Sequence, residues 1–216
     1  MNFIQFITLM LLSLEPSYGD KESWEVRTER MKVVAQAIDD ASSKATCSEA
    51  YAVPTCEKKW AGSKKELAML LVTKGYWESR FAKNVHEGKC RAKECDAIVV
   101  SGQVRHLARS PWQIQRVESL VSADEYKLMN SSTVEATKMS ANVATRYLSL
   151  GFNRCHNIKG TIAAYGGADC NWDGANERYK FFKFLSARTE KDLAQDAEKR
   201  KVALEARLAR ELKEKK

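Results

Sequence analysis

The sequence lacks any apolar run long enough to cross a bilayer as a helix. Its one continuous apolar stretch of note, Phe3 to Leu14, falls short of the ~20 residues that a spanning helix needs. Residues 15–19 follow it with small side chains in the pattern of a signal-peptidase site, although no Lys or Arg precedes the run. We therefore predict a signal peptide over residues 1–19 and no stable membrane span, with a short buried N-terminal helix as the alternative.

The sequence also lacks the C-x-x-C spacing of zinc fingers, although it has six cysteines. These fall into three pairs that are close in sequence: Cys47 with Cys56, Cys90 with Cys95, and Cys155 with Cys170. Pairing between neighbours is the simplest of the fifteen possible connectivities, because each disulfide would then close one loop. Together with the signal peptide, these pairs predict a secreted or periplasmic protein.

Two alternatives for the cysteines stay open. One is a zinc site, whose candidate ligands would be Cys90, Cys95, Cys155 and either His86 or His156. The other is a set of free thiols in a cytosolic core, which requires that the signal peptide be false. We expect disulfides, and therefore neither a metal nor a cofactor.

The charge balance is basic, with a formal net charge of +8. Such a surface favours polyanions, which include nucleic acids, anionic membranes and acidic cell-wall polymers. The sequence has no aromatic-rich basic cluster and no nucleic-acid-binding motif, so we predict no nucleic-acid partner. Hydrophobic residues make up 44% and charged residues 30% of the chain, which is typical of a globular protein and not of a disordered one.

Most of the chain has helical periodicity. Residues 27–42 form a predicted amphipathic helix, with an apolar face of Met31, Val34, Ala35 and Ile38. Ser63 is the predicted cap of a second helix over residues 64–76, with Gly75 loosening its last turn. Residues 82–111 lack this periodicity and contain a β-branched run at 98–100, which predicts a small strand pair or an irregular lobe.

Two capping boxes follow this lobe, Ser122 with Glu125 and Ser132 with Glu135. The second is predicted to open a strong helix that Gly151 ends, and residues 158–165 form a shorter one.

The C-terminal part is predicted to be one long helix over residues 177–216. Beyond residue 188 it has no Gly or Pro and is rich in Ala, Leu, Glu, Lys and Arg. A solvated single helix and a surface for a helical partner are both compatible with its irregular leucine seam. The fold class is therefore mainly α, with a domain over 20–187, a small irregular or β lobe within it, and a charged helical extension over 188–216.

Three segments, in order, resemble the motifs of the lysozyme-like superfamily, particularly soluble lytic transglycosylases and goose-type lysozymes. Glu78-Ser79 closes an apolar helix, Ser110-Pro111-Trp112-Gln113-Ile114 follows the irregular lobe, and Ile162-Ala163-Ala164-Tyr165-Gly166-Gly167 ends a later short helix. In that superfamily the order is a catalytic E-S, a G-L-M-Q-type motif and an A-Y-N-x-G-type motif. The resemblance spans roughly residues 60–185 and implies an α+β lysozyme-like fold.

The resemblance implies one catalytic residue and three substrate-binding residues. Glu78 matches the single catalytic acid, and Ser79 matches the residue that contacts substrate or orients that acid. Gln113 matches the glutamine that lines the cleft, and Tyr165 matches the tyrosine close to the catalytic carboxyl. The implied partner is the glycan strand of peptidoglycan.

This chain departs from the superfamily pattern at four positions. Ser110 and Pro111 replace the usual Gly and Leu, Trp112 replaces Met, and Gly166 replaces Asn, which removes one substrate-binding amide. The identity of the bound sugar is therefore open.

The position of Glu78 suits an acid catalyst. Breaking a glycosidic bond requires a proton on the bridging oxygen, and desolvation beside Trp77, Tyr76 or Phe81 would help the carboxyl keep its proton. We expect Arg80 to point away, because consecutive helical side chains diverge by about 100°.

The implied mechanism needs no second carboxylate. In lytic transglycosylases the same glutamate, now a base, deprotonates the C6 hydroxyl of muramic acid, which attacks its own anomeric carbon. Candidates for a second acid are Glu87, Asp96 and Asp173, so muramidase-type hydrolysis is kept as an alternative. Non-catalytic wall binding, and an interaction protein that uses its C-terminal helix, are the remaining alternatives.

Overall fold

The computed structural model describes residues 1–17, 21–44, 60, 62–90, 95, 97–100, 103–115 and 120–214, and for 97–100 and 103–107 the backbone alone. In this part of the chain there are nine helices and two strands. They are α1 Phe3–Ser13, α2 Trp24–Lys44, α3 Lys64–Ser79, α4 Lys83–His86, β1 Ala97–Val100, β2 Gln103–Leu107, α5 Ala123–Leu128, α6 Val134–Cys155, α7 Ile158–Tyr165, α8 Ala175–Ser186 and α9 Glu190–Lys213. The predicted mainly α fold is confirmed.

Helix α3 lies at the centre of the core. Every residue from Leu67 to Gly75 is buried, because α2, α6 and α8 all pack against this helix. A helix that is apolar around its whole circumference needs such a surround. Ser63 and Glu66 form the capping box that starts the helix, and the helix extends past residue 76 to Ser79, so the Glu78-Ser79 pair closes it as expected.

The small lobe is an antiparallel pair, β1 and β2, between α4 and the turn at 110–113. It lies within the segment 82–111, where a strand pair or an irregular lobe was predicted.

Three predicted helix boundaries are wrong. Thr133, and not Ser132, caps α6, since its side chain accepts from the backbone N–H of Ala136. Gly151 does not end α6, which continues to Cys155; instead α7 packs closely against it, and a Cβ on Gly151 would lie 3.2 Å from the Ala164 Cβ.

The third wrong boundary is the single C-terminal helix. Helix α8 ends at Ser186, residues 187–189 separate it from α9, and Thr189 starts α9 with a capping box to Asp192. Helix α9 packs along α1 and buries Leu193, Ala197 and Leu204.

Helix α1 also packs against α2, with Ile7, Met10 and Leu11 fully buried. The signal peptide over 1–19 and the domain limits stay predictions. No helix in the described ranges combines the length and the apolar character that crossing a bilayer requires.

Two of the three predicted disulfides are confirmed, Cys90–Cys95 and Cys155–Cys170. They use the cysteines of the alternative zinc site. The pair Cys47 and Cys56 lies outside the described residues.

Candidate functional site

Glu78 lies in the last turn of α3, one residue before the helix ends. The helix stops because Arg80 and Phe81 both adopt left-handed backbone conformations, with φ of 51° and 50°. Arg30 stabilises this turn, since its Nη1 donates to the Phe81 carbonyl at 2.7 Å. Arg30 is itself paired with the buried Glu22, so an ion pair from the start of α2 fixes the chain just after the candidate acid.

The carboxylate of Glu78 contacts two cations. Its Oε1 accepts from Lys74 Nζ at 2.6 Å and from Arg178 Nη1 at 3.0 Å, and the side chain is 16% exposed. These are charge-assisted hydrogen bonds, which are stronger than neutral ones. The expectation of an apolar setting for this carboxyl is therefore wrong.

Two of the aromatic residues near Glu78 in sequence, Tyr76 and Phe81, pack in other directions. Tyr76 stacks on Phe181 with ring centroids 4.9 Å apart, and Phe81 is buried edge-on against Trp112. Trp77 is 41% exposed and lies beside Arg178, whose guanidinium carbon is 5.8 Å from its ring centroid. Arg80 lies over the Tyr76 ring, 6.0 Å from its centroid, and thus away from Glu78 as expected. The expectation of an apolar setting rested on residues that are next to Glu78 in sequence. Consecutive side chains of a helix lie on different faces, so sequence neighbours need not surround the carboxyl.

Lys74 is a functional candidate that the sequence analysis missed. It is fully buried, and its Nζ lies between Glu78 and the face of the Tyr165 ring, 4.3 Å from the ring centroid. Burial lowers the pKa of Lys74 to about 8, although the neighbouring Glu78 opposes the change. A lysine four residues before Glu78 inside an apolar run was a signal for this contact, since such residues share a helix face.

Arg178 was also missed, and no local signal could have found it. It lies on α8, one hundred residues from Glu78 in sequence, and only the packing of α8 against α3 brings the two together.

Ser79 connects two of the three motif segments. Its hydroxyl is 2.7 Å from the Pro111 carbonyl and 3.1 Å from the Gly75 carbonyl, and it accepts from the Phe81 N–H. These contacts occupy the one proton of the hydroxyl and stabilise the end of α3. Substrate binding by Ser79 stays a prediction.

Tyr165 connects the third segment to the second. Its hydroxyl donates to the Trp112 carbonyl at 2.9 Å, and burial, together with the charge of Glu78, raises its pKa well above the ordinary value. The Tyr165 hydroxyl therefore stays protonated at neutral pH and keeps its hydrogen bond to the Trp112 carbonyl. Trp112 is fully buried and donates to the Leu71 carbonyl, so it belongs to the core and does not face a sugar.

Gln113 lies in the same turn but is directed elsewhere. It has a left-handed backbone with φ of 48°, is buried, and its Nε2 lies 3.3 Å from both the Ser110 carbonyl and Cys95 Sγ. The second motif therefore contacts the disulfide of the small lobe through this side chain, and reaches Tyr165 through the Trp112 backbone. The structure thus brings all three motif segments together, with Glu78 and Tyr165 on either side of Lys74.

Neither of the described candidates for a second acid, Glu87 and Asp173, is among the contacts of Glu78. Glu87 pairs with Lys83 and Lys89, and these contacts, led by the hydrogen bond from Lys89, lower its pKa. Asp173 is exposed in the loop before α8, and Asp96 lies outside the described residues.

His86 is buried, its Nε2 is 2.8 Å from the Thr137 hydroxyl, and burial lowers its pKa to about 3. Among the described residues, no group of three or more His, Cys, Asp or Glu side chains could hold a metal ion.

Comparisons with protein families, with curated proteins and with solved structures find no match to this chain.

Proposed function

We propose that this protein cleaves peptidoglycan glycan strands at the β-1,4 bond between N-acetylmuramic acid and N-acetylglucosamine, with Glu78 as the single catalytic acid. The observation that carries the proposal is that the three motif segments contact one another at the end of the helix that carries Glu78. Glu78 is linked through Lys74 to Tyr165, Tyr165 to the Trp112 carbonyl, and Ser79 to the Pro111 carbonyl. Three segments spread over about ninety residues thereby lie next to one another, which supports the proposal.

The proposed reaction is lytic transglycosylation. Glu78 gives a proton to the bridging oxygen as the bond to the muramic acid anomeric carbon breaks. The glutamate then takes the proton of the C6 hydroxyl, whose oxygen bonds to that carbon and forms a 1,6-anhydro product. Acid catalysis requires a proton on Glu78, whose Oε1 accepts a hydrogen bond from the Lys74 ammonium at 2.6 Å in the structure. In muramidase-type hydrolysis, water would replace the C6 hydroxyl.

The proposed place of action is outside the cytosol, in the periplasm or after secretion. The two disulfides support it, since such bonds persist in oxidising compartments. The basic charge of the chain suits an anionic wall polymer.

Non-catalytic wall binding is the second candidate function. The observation that favours it is the pair of cations on Glu78, because an ion-paired carboxylate is a poorer proton donor than a free carboxylic acid. An interaction function of α9 with a partner helix would be compatible with either candidate.

The test is digestion of purified sacculi with analysis of soluble fragments by mass spectrometry. We expect 1,6-anhydro-muropeptides from the wild type. Glu78→Gln should lower the cleavage rate by about 10²–10⁴-fold, which is the usual contribution of a general acid to the rate. Glu177→Gln is the matched control, since Glu177 is an exposed acid that pairs with Lys180 next to Arg178.

Other results would change the assignment in defined ways. Fragments with reducing muramic acid ends would mean hydrolysis, and binding without fragments would mean a wall-binding protein. Full activity of Glu78→Gln would show that the acid has been misidentified.

A further inference from the structure

Two large exposed aromatic side chains flank Arg178 beside Glu78. Trp77 on α3 and Trp172 in the loop before α8 are each 41% exposed. The Arg178 guanidinium carbon lies 5.8 Å from the Trp77 ring centroid and 5.5 Å from that of Trp172. One cation thus lies between two indoles, next to the candidate acid.

The loop that carries Trp172 is held in place. The Cys155–Cys170 disulfide ties this loop to the end of α6. The backbone N–H of Trp172 donates to the Asp169 carbonyl at 3.0 Å. The indole packs onto Gly174, where a Cβ would lie 2.2 Å from the ring, so only glycine permits this approach. The position of Trp172 is therefore built into the fold and is not that of a free surface side chain.

Arg178 has hydrogen-bonding capacity left for a ligand. Within the described part of the chain, its one hydrogen bond is from Nη1 to Glu78, and its side chain is 20% exposed. A guanidinium has five N–H donors arranged to hold a carboxylate with two parallel bonds. Nη1 can stay on Glu78 while the remaining N–H groups bind a ligand.

The chemistry of the three side chains selects a ligand. Exposed indoles offer flat apolar faces with low entropy cost, onto which the C–H face of a sugar ring packs. A guanidinium between them selects a sugar that carries a carboxylate. A neutral amino sugar would use the indoles but not the cation.

We propose that Trp77, Arg178 and Trp172 form a subsite for an anionic sugar unit, which on a glycan strand is N-acetylmuramic acid with its lactyl carboxylate or the carboxylates of its stem peptide. This inference rests on the proposed function and adds the recognition of one of the two sugars. It also places the anionic unit directly beside Glu78, because Arg178 contacts both.

The experiment measures binding without turnover, by titration calorimetry and by tryptophan fluorescence. The probes are the disaccharide of N-acetylglucosamine and N-acetylmuramic acid, the same disaccharide with an L-alanyl-D-isoglutamate stem, and chitobiose, which has no carboxylate. We expect the wild type to bind the better of the two muramyl probes about tenfold more tightly than chitobiose, with a preference that shrinks as salt is added. The comparison of the two muramyl probes identifies which carboxylate is bound.

Variants separate the cation from the indoles. Arg178→Met should remove the preference and leave chitobiose binding unchanged, and Arg178→Lys should keep part of the preference. Trp172→Ala should weaken all three probes at least fivefold. Phe184→Ala is the matched control, since Phe184 is an exposed aromatic on α8 that packs against Arg188 at 5.0 Å, and it should change nothing.

The outcomes distinguish this inference from the proposed function. Binding with the expected preference but no cleavage of sacculi would support the subsite and overturn the enzyme. Cleavage of sacculi by a protein with no preference, or a preference that survives Arg178→Met, would overturn the subsite alone. Failure to bind any probe would also overturn the subsite.

Discussion

Lys74 is a buried cation whose protonation is coupled to folding. Its pKa falls to about 8 because the ammonium is removed from water, and the contact with Glu78 offsets only part of that cost. The unfolded lysine titrates near 10.5. Below pH 8 both states carry the proton, and the buried charge costs about 3 kcal/mol of stability at 1.36 kcal/mol per pKa unit.

The sign of the pH dependence follows from proton counting. Between pH 8 and 10.5 the unfolded lysine holds its proton and the folded one has lost it, so this group makes stability rise with pH. We expect the wild type to gain about 2 kcal/mol relative to Lys74→Met between pH 7 and pH 9.5. Urea unfolding of both proteins at the two pH values measures it, because other titrations cancel in the difference. Equal pH dependence of the two proteins would show that Lys74 is solvated.

At the scale of single elements, the end of α3 depends on the contact between Gly75 and Phe81. A Cβ on Gly75 would lie 2.3 Å from the Phe81 ring. Phe81 is held by its left-handed backbone and by the buried Trp112, so it has little room to move. The helix needs glycine here for close approach and continues beyond it.

This contact reverses the usual effect of a helical glycine. In an open helix Gly→Ala stabilises by about 1 kcal/mol, whereas Gly75→Ala should destabilise by about 2 kcal/mol through overpacking. Thermal and urea unfolding check this, with Gly166→Ala as the control, since the atom nearest to a Cβ there is 3.7 Å away. The double variant Gly75→Ala/Phe81→Leu should recover part of the loss. A stabilised Gly75→Ala would contradict the packing described.

At the scale of the whole molecule, the two ends of the chain pack together. Helix α9 lies along α1, and Arg200 on α9 reaches the Ser13 carbonyl at 3.5 Å. The leucines of α9 differ in exposure: Leu204 is 3% exposed, whereas Leu212 is 68% exposed. Leu193, Ala197 and Leu204 therefore form the docked stretch of α9, and its last turn, which carries Leu212, is solvated.

A pair of matched substitutions tests this docking. Leu204→Asp would place an unpaired charge in the contact and should cost about 3 kcal/mol, whereas Leu212→Asp should change stability by less than about 0.5 kcal/mol. Denaturant midpoints of both variants in the full chain give the comparison. Equal, small effects would mean that α9 does not dock on α1.

Much of the fold could be predicted, because local chemistry determines it. The apolar face of Met31, Val34, Ala35 and Ile38 marked α2, and all four are buried. Ser122 and Glu125 form the capping box that their spacing predicts. Cysteine spacing identified the pairs Cys90–Cys95 and Cys155–Cys170. Predictions failed where packing outweighed propensity: Gly151 lies inside a helix because α7 covers it.

By itself, the sequence determined the helices α2, α3, α6 and α7, two capping boxes, two disulfides and a glutamate at the end of a buried helix, because each depends on residues within a few turns of one another. Only the tertiary structure decided what surrounds that glutamate. One of its partners is near in sequence and the other is distant. Lys74 is four residues away on the same helix face, whereas Arg178 comes from α8, one hundred residues later. The electrostatic setting of a side chain depends on which elements pack against it, and no local pattern near Glu78 encodes the position of Arg178.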